Sequence, residues 1–189
     1  MPKINYYDHL ERLACLSSRA VFIACRESGV SAERELRELR ENADKLICSL
    51  DRRLFSDFMP PIDRAEISKC AHSLSDNIDD SLELFEAYRQ SGAIRCRKNK
   101  EAEICLRLSE IIESSVASLR RLNRPDELPD LAGVRALLFD GGILHARLAR
   151  KLSESSMRSC SGYLSSLSQL RRGLGKSFDR IVEVMLSSI

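Results

Sequence analysis

Apolar residues recur every three or four positions along most of the chain. This is the period of one face of an α-helix, and the pattern predicts six amphipathic helices. Their predicted bounds are about 5–27, 31–54, 63–90, 101–123, 131–154 and 156–189. The second segment is the most regular, with the spacing of a packed bundle helix at Leu36, Leu39, Ala43, Leu46, Leu50 and Leu54.

Helix-breaking and helix-capping residues separate the first three segments. Gly29 is expected to end the first helix, because glycine readily takes left-handed backbone angles. Ser31 is the predicted cap of the second helix, and Pro60-Pro61 ends it, since proline lacks a backbone N–H. Asp63 and Glu66 follow at the spacing of a capping box. In that motif the first residue accepts from a free N–H and the second reaches back to the backbone of the first.

The second half of the chain repeats this plan. Residues 124–130 carry two prolines and are the predicted break between the fourth and fifth helices. Residues 91–101 form a linker at the midpoint, with three predicted helices on either side. The arrangement suggests a duplicated three-helix unit within a single domain of residues 1–189, with halves at about 1–92 and 99–189.

The linker also carries a short basic run, formed by Arg95, Arg97, Lys98 and Lys100. A solvated connection explains it most simply. Contact with anionic lipid or an acidic partner is the alternative, although four charges are at the low end for such clusters.

Two adjacent glycines, Gly141 and Gly142, lie inside the predicted fifth helix. Each costs a helix about 1 kcal/mol relative to alanine. We therefore expect a kink or a close helix contact at this point.

Composition supports an all-helical protein and narrows its function. Of the 189 residues, 43% are hydrophobic and 31% charged, which suits a globular bundle with a solvated surface. The chain has only 8 glycines and 5 prolines and no tryptophan, which favours helices over a β-sandwich or barrel. Its net charge of +2 is too small for a dedicated nucleic-acid-binding protein, which needs a large basic excess to neutralise phosphates.

Seven cysteines are spread along the chain without a C-x-x-C pair. An odd number at this spacing fits neither a disulfide framework nor a zinc site. We expect most of them to be small buried apolar residues in a reducing cytoplasm. The first residues show no apolar signal segment, and the longest apolar run, Ala20–Cys25, is far shorter than a membrane span.

Carboxylates crowd one face of the predicted third helix. Asp76, Asp79, Asp80 and Glu83 fall opposite the apolar stripe on a helical wheel, with His72 one turn earlier. Carboxylates at positions i and i+4 can share a hard cation, and a histidine could add a nitrogen ligand. The simpler interpretation is the solvated side of a helix.

The stretch 39–86 resembles a known family. Its pieces ENADKL, LFSDFMPPIDRAEI and SDNIDD match the running pattern of the PhoU-like phosphate transport regulators. The match is closest to their shorter branch, described as phosphate transport regulators or Pit accessory proteins. The length and six-helix plan agree along the whole chain.

The resemblance implies an all-α fold of six antiparallel helices, built as two side-by-side three-helix bundles. It also implies a cytoplasmic, non-enzymatic role in tuning inorganic phosphate uptake. The implied partners are a phosphate transporter or a sensor kinase, and the implied assembly is a homodimer. Neither nucleic acid nor an integral membrane position is expected.

Family members carry E/D-x-x-x-D motifs that hold iron, zinc, manganese or magnesium on the outer bundle surface. The positions that match here are Asp44, Asp76, Asp80 and Asp179. Only Asp76 and Asp80 form a complete motif. The partners of the other acids are replaced: Arg40 stands before Asp44 and Gly175 before Asp179, and in the fifth helix Leu144 follows Asp140. Arg40 could supply its own charge in place of a metal by pairing with a neighbouring carboxylate.

Two other functions remain open from the sequence. One is a helical bundle that binds a divalent metal, although no Glu-x-x-His pair of the ferritin-like type is present. The other is a scaffold or oligomerisation protein with degenerate metal motifs. An enzyme is the least favoured class, because no nucleophile stands beside a base and no cofactor-binding loop is visible.

Overall fold

The computed structural model describes residues 6–56, 63–91, 100–121, 131–153 and 160–186. Within these residues the chain forms six α-helices, in the number and order that the apolar pattern predicts. A 3₁₀ turn, Leu119–Arg121, continues the fourth helix. The helices are α1 (Tyr6–Arg26), α2 (Val30–Ser56), α3 (Arg64–Ser91), α4 (Lys100–Ser118), α5 (Leu131–Ser153) and α6 (Ser161–Leu186).

The turn between α1 and α2 depends on Gly29. Its φ of +96° lies in the left-handed region that favours glycine, so the predicted stop is confirmed. The next helix begins one residue earlier than predicted, at Val30, because the N–H of Glu33 donates to the carbonyl oxygen of Gly29 at 3.2 Å. The backbone of Gly29 thus occupies the capping position that was predicted for Ser31.

The start of α3 is capped by one side chain only. Oδ1 of Asp63 accepts from the N–H of Ala65 at 2.7 Å, as an N-cap aspartate does. Glu66 does not reach back to Asp63; its Oε1 accepts from Nζ of Lys69 at 2.7 Å. The capping box is therefore half formed, because a lysine one turn further along competes for the glutamate.

Helices α1, α2 and α3 pack as one three-helix bundle, and α4, α5 and α6 as another. The bundles lie side by side through two seams, α1 against α4 and α3 against α6. Four helices therefore form the middle of the molecule, while α2 and α5 flank it. This confirms the predicted all-α fold of two adjacent three-helix bundles, while the division into repeated halves stays a prediction.

An ion-pair cluster closes the α1–α4 seam. The guanidinium of Arg120, in the 3₁₀ turn after α4, pairs with Asp8 and Glu11 in the first part of α1. One of its hydrogen bonds joins Nη2 of Arg120 to Oε2 of Glu11 at 2.8 Å. Residues more than 100 positions apart are thus joined at one end of the seam.

The predicted apolar stripes form the core, with one correction. In α2 the predicted stripe is buried except at Leu46, which is only partly buried while its neighbour Ile47 is buried. The stripes predicted for α1 and α6 are buried throughout, namely Leu10, Leu13, Ser17, Ala20/Val21 and Ala24, and Cys160, Leu164, Leu167, Leu170, Leu174, Phe178, Ile181 and Met185. Helix α3 is buried on two sides, because it packs on α6 as well as on α1 and α2. The stripe predicted for this helix is Ile67, Cys70/Ala71, Leu74, Ile78, Ser81/Leu82 and Phe85. Asn77 and Leu84 lie outside that stripe and are nevertheless fully buried.

Several predictions fall outside the described residues. These concern Pro60-Pro61, the second proline break at 124–130, and Arg95, Arg97 and Lys98 of the basic run.

Among the described cysteines, Cys25, Cys70, Cys105 and Cys160 are buried as expected, whereas Cys15 and Cys48 are exposed. No helix in the described part of the chain is long and apolar enough to cross a membrane.

A buried polar clamp holds α5 in the second bundle. Nη1 of Arg171, on α6, donates to the carbonyl oxygen of Leu138 on α5 at 2.9 Å. Nε of the same guanidinium lies 3.4 Å from Oε1 of Glu101, whose side chain on α4 is fully buried. His145 of α5 approaches the other carboxylate oxygen at 3.5 Å. Desolvation by burial raises the pKa of Glu101, against the opposing effect of these two basic neighbours.

Gly141 provides the space for this clamp. A Cβ atom at Gly141 would lie 2.4 Å from Cδ of Arg171, whereas a Cβ atom at Gly142 would meet nothing within 4 Å. The close helix contact expected at the glycine pair is therefore confirmed at Gly141 alone.

The two adjacent glycines should respond in opposite ways to alanine. Gly142→Ala should raise the free energy of unfolding by up to about 1 kcal/mol, through better helix propensity alone. Gly141→Ala should lower it by about 1–3 kcal/mol, because the added methyl displaces a guanidinium fixed by two partners. Urea unfolding of both variants measures the difference. A stabilised Gly141→Ala variant would contradict the clamp.

Candidate functional site

The acidic face of α3 lines a groove against α6, with a volume of about 470 Å³. From α3 the groove receives Asp76, Asp79 and Asp80, and from α6 it receives polar and basic side chains. Its lining residues are Ser73, Asp76, Asp79, Asp80, Gln169, Arg172, Gly173 and Lys176, and we call it the α3–α6 groove. The acids therefore face a neighbouring helix and do not point directly away from the bundle as the helical wheel predicted.

Arg40 neutralises one side of this acidic face. Its guanidinium, on α2, pairs with Asp44 one turn along the same helix and with Asp79 on α3. A bidentate guanidinium is well suited to bridging two carboxylates. The prediction that Arg40 pairs with a neighbouring carboxylate is confirmed. One of its two partners is Asp44, which the resemblance had assigned as a metal ligand.

Gln169 occupies the other side. Its Nε2 donates to Oδ1 of Asp80 at 2.8 Å and to Oε2 of Glu83 at 3.0 Å. Gly173 makes this approach possible, since a Cβ atom there would lie 2.5 Å from Oδ2 of Asp80. Asp80 is half-buried as a result, and desolvation raises the pKa of its carboxyl. The carboxylates of Glu83, Asp76 and Asp79 act in the same direction on that pKa, and the bond from Gln169 opposes them.

A dry hydrogen-bonded contact lies beside the groove. Nδ2 of the fully buried Asn77 donates to Oγ of Ser177 at 2.8 Å. Oγ of Ser177 donates in turn to the carbonyl oxygen of Ser73 at 3.0 Å. This contact joins α3 to α6 and so fixes the position of the acids of α3 relative to Gln169.

The predicted metal ligands are only partly brought together. Asp76 and Asp80 share the α3–α6 groove, while Asp44 reaches it only through Arg40. Asp179 is exposed on α6 and is not among the lining residues. In the described part of the chain no group of three or more His, Cys, Asp or Glu side chains is placed to hold a metal ion.

Cationic and amide groups occupy the places where a metal would contact its ligands. Arg40 and Gln169 already bind three carboxylates of α3, those of Asp79, Asp80 and Glu83, and the basic Arg172 and Lys176 line the same groove. A divalent cation does not fit this arrangement, because it would compete with fixed positive charge for its ligands. The role of Asp44, Asp76, Asp80 and Asp179 as metal ligands stays a prediction.

Sequence reasoning missed the contribution of α6 to the groove. Gln169, Arg172 and Lys176 recur at three and four positions, which places them on one polar face of that helix. This spacing could have indicated a basic face. It could not have shown that the face meets the acids of α3, because the pairing of helices is set by packing between distant segments.

Comparison with solved structures identifies the same fold. A PhoU-like protein from Shewanella oneidensis superimposes with a TM-score of 0.75 and 14% sequence identity, over 97% of this chain and 98% of its own. A second protein from the same organism is described as a proposed PhoU-like phosphate regulatory protein. It superimposes with a TM-score of 0.66 and 13% sequence identity, over 97% of each chain. No protein-family model matches this chain, and no curated protein sequence matches it significantly. The chain thus has the PhoU-like fold.

The occupied carboxylates predict weak metal binding. After incubation with Fe²⁺, Zn²⁺, Mn²⁺ or Mg²⁺ and desalting, the purified protein should retain less than one equivalent, measured by elemental analysis. The Asp76→Ala/Asp80→Ala variant should retain no less than the native protein. A full equivalent that disappears in the double variant would show that a metal displaces Arg40 or Gln169.

Asp80 should destabilise the fold near neutral pH. Its folded-state pKa is raised, so the unfolded chain loses this proton at a lower pH, and stability falls as pH rises through the interval between the two pKa values. Asp80→Asn should therefore raise the free energy of unfolding at pH 7, and the gain should shrink as pH is lowered through the carboxyl range. Urea unfolding at several pH values measures this.

Asp76→Asn is the matched control, because Asp76 lies on the same face but is exposed. It should change stability less than Asp80→Asn at pH 7. If Asp80→Asn proves destabilising at pH 7, the bond from Gln169 outweighs the burial of the charge.

Proposed function

We infer that this chain is a regulator of inorganic phosphate transport that acts by protein contact. One observation carries the proposal: the similarity to PhoU-like structures extends over 97% of this chain and nearly all of theirs, so the whole architecture is shared. One of those proteins is described as a phosphate regulatory protein, and the sequence pieces at 39–86 point the same way. Because likeness of fold alone does not establish function, the proposal needs its own test.

The proposed partners are the cytoplasmic surface of a phosphate transporter or of a sensor kinase. The exposed surfaces of α2 and of the α3–α6 groove are polar or mixed, which suits transient contact with another protein. A cytoplasmic, homodimeric protein is part of the proposal.

The geometry of the described residues does not favour catalysis. Ser68, Asp51 and His72 lie together between α2 and α3, but Oγ of Ser68 points to Asp51 at 3.4 Å and not to the imidazole. A serine nucleophile needs a base as its direct partner, so this order is wrong for a hydrolase. Burial also disfavours the reactive thiolate at two of the described cysteines. Burial raises the pKa of Cys70 to about 12, and it also raises the pKa of the more exposed Cys15.

Deletion of the gene in its native host tests the proposal. Initial rates of radiolabelled phosphate uptake should change on deletion and return when the wild-type chain is expressed from a plasmid. The tagged chain should co-purify with a phosphate transporter or a sensor kinase after cross-linking in cells. Unchanged uptake, with neither partner recovered, would refute the proposal.

A further inference from the structure

The outer face of α5 is apolar. Exposed residues spaced by four and three positions run along it, namely Ala132, Ala136, Phe139, Ile143 and Ala146, and we call them the α5 stripe. Phe139 is 70% exposed and Ile143 38%. The opposite face, which includes Val134 and Leu138, packs into the second bundle. A helix that is apolar on both faces is normally covered on both.

Helix α2 shows that a flanking position does not require such a face. It flanks the first bundle as α5 flanks the second, yet its outer face is charged and internally paired. Arg37 pairs with Glu33 at 3.0 Å, and Arg34 with Glu38 at 3.7 Å. The α5 stripe is therefore a property of this helix and not of its place in the fold, and exposed apolar patches of this kind mark interaction sites.

A groove of about 450 Å³ runs beside the stripe, between α4 and α5. Its floor is apolar, formed by Ile104, Leu137 and Leu144, and Ile143 belongs to both the groove and the stripe. We call it the α4–α5 groove. Because the groove is concave, it can receive apolar side chains of a partner, which a flat surface cannot enclose.

Three exposed cations stand at the rim of this groove: Lys100 and Arg107 on α4, and Arg147 on α5. Among the described side chains, none of the three has an ion-pair or hydrogen-bond partner, although Glu103 and Asp140 line the same groove. Several other arginines of the chain, including Arg19, Arg40 and Arg120, are paired. Of the described charged side chains that line the groove, three are positive and two are negative, so the lining carries a positive excess.

We propose that the α4–α5 groove and the α5 stripe together bind an amphipathic helix of a partner protein whose polar face is acidic. Apolar side chains at positions i, i+3 or i+4 and i+7 of that helix fill the groove, and its carboxylates meet the three cations. A second copy of this chain fits less well, because a two-fold dimer would set the same cations against each other. This inference rests on the proposed function, since it names the surface that meets the partner.

Peptide binding tests the surface directly. The probe is a fluorescein-labelled designed helix of about 18 residues, with leucine on one face and glutamate on the other. Fluorescence anisotropy with the full chain should give a dissociation constant below about 100 μM. Added salt should weaken the binding. A peptide of the same composition, with leucine and glutamate distributed around the whole helix, should bind much more weakly. No binding of the amphipathic peptide would overturn the proposal.

Matched variants locate the contact. Arg107→Glu/Arg147→Glu should weaken binding at least about tenfold, whereas Lys45→Glu/Arg52→Glu, at exposed positions of α2, should leave it within about twofold. Phe139→Ser should also weaken binding, and Phe55→Ser, at the 88% exposed phenylalanine of α2, should not. Equal effects of the α5 and α2 variants would overturn the proposal. Circular dichroism confirms that each variant is folded.

The other occupants give distinct results. Sedimentation that shows a dimer lost in Phe139→Ser would assign the surface to a second copy of the chain. Binding to phosphatidylserine vesicles that is lost in Arg107→Glu/Arg147→Glu would assign it to a membrane. Either result would overturn the proposal. If phosphate uptake depends on the chain but the peptide does not bind, only this inference is refuted. If the peptide binds but deletion of the gene leaves phosphate uptake unchanged, only the proposed function is refuted.

Discussion

The α3–α6 groove depends on the packing of α3 on α6, which is one of the two seams that join the bundles. Asn77 is fully buried in that contact, and Ser177 is the partner of its amide nitrogen. A buried amide that loses its partner costs about 1–3 kcal/mol, so the two helices are held in one register. That register sets Gln169 against Asp80 and leaves room for it at Gly173. The joining of the bundles and the shape of the α3–α6 groove thus depend on the same contact.

The two flanking helices are held in different ways. Helix α2 buries a regular apolar stripe and exposes charged residues that pair with each other. Helix α5 is fixed by the guanidinium of Arg171, which reaches both Glu101 and the carbonyl oxygen of Leu138. Breaking such a buried pair costs about 3–5 kcal/mol, whereas its net contribution relative to apolar packing is small. The clamp therefore specifies the position of α5 more than it stabilises the fold.

Much of this fold could be predicted from the sequence, because helix periods and helix ends are local signals. The six helices and the stop at Gly29 followed from such signals. The second buried face of α3 did not, since Asn77 is polar and its burial depends on α6. For the same reason Gln169 could not be recognised as the partner of Asp80. The ion pair of Arg40 with Asp44 was predictable, because Asp44 is one turn away on the same helix.

The ion pairs of Arg120 with α1 have a consequence for motion. They close one seam between the bundles, while Asn77 and Ser177 hold the other. Two bodies that are joined along two separate lines cannot swing about either one, so a hinge or shear movement between the bundles would have to break both. In the proposed function, a partner therefore acts by covering one face of a rigid body.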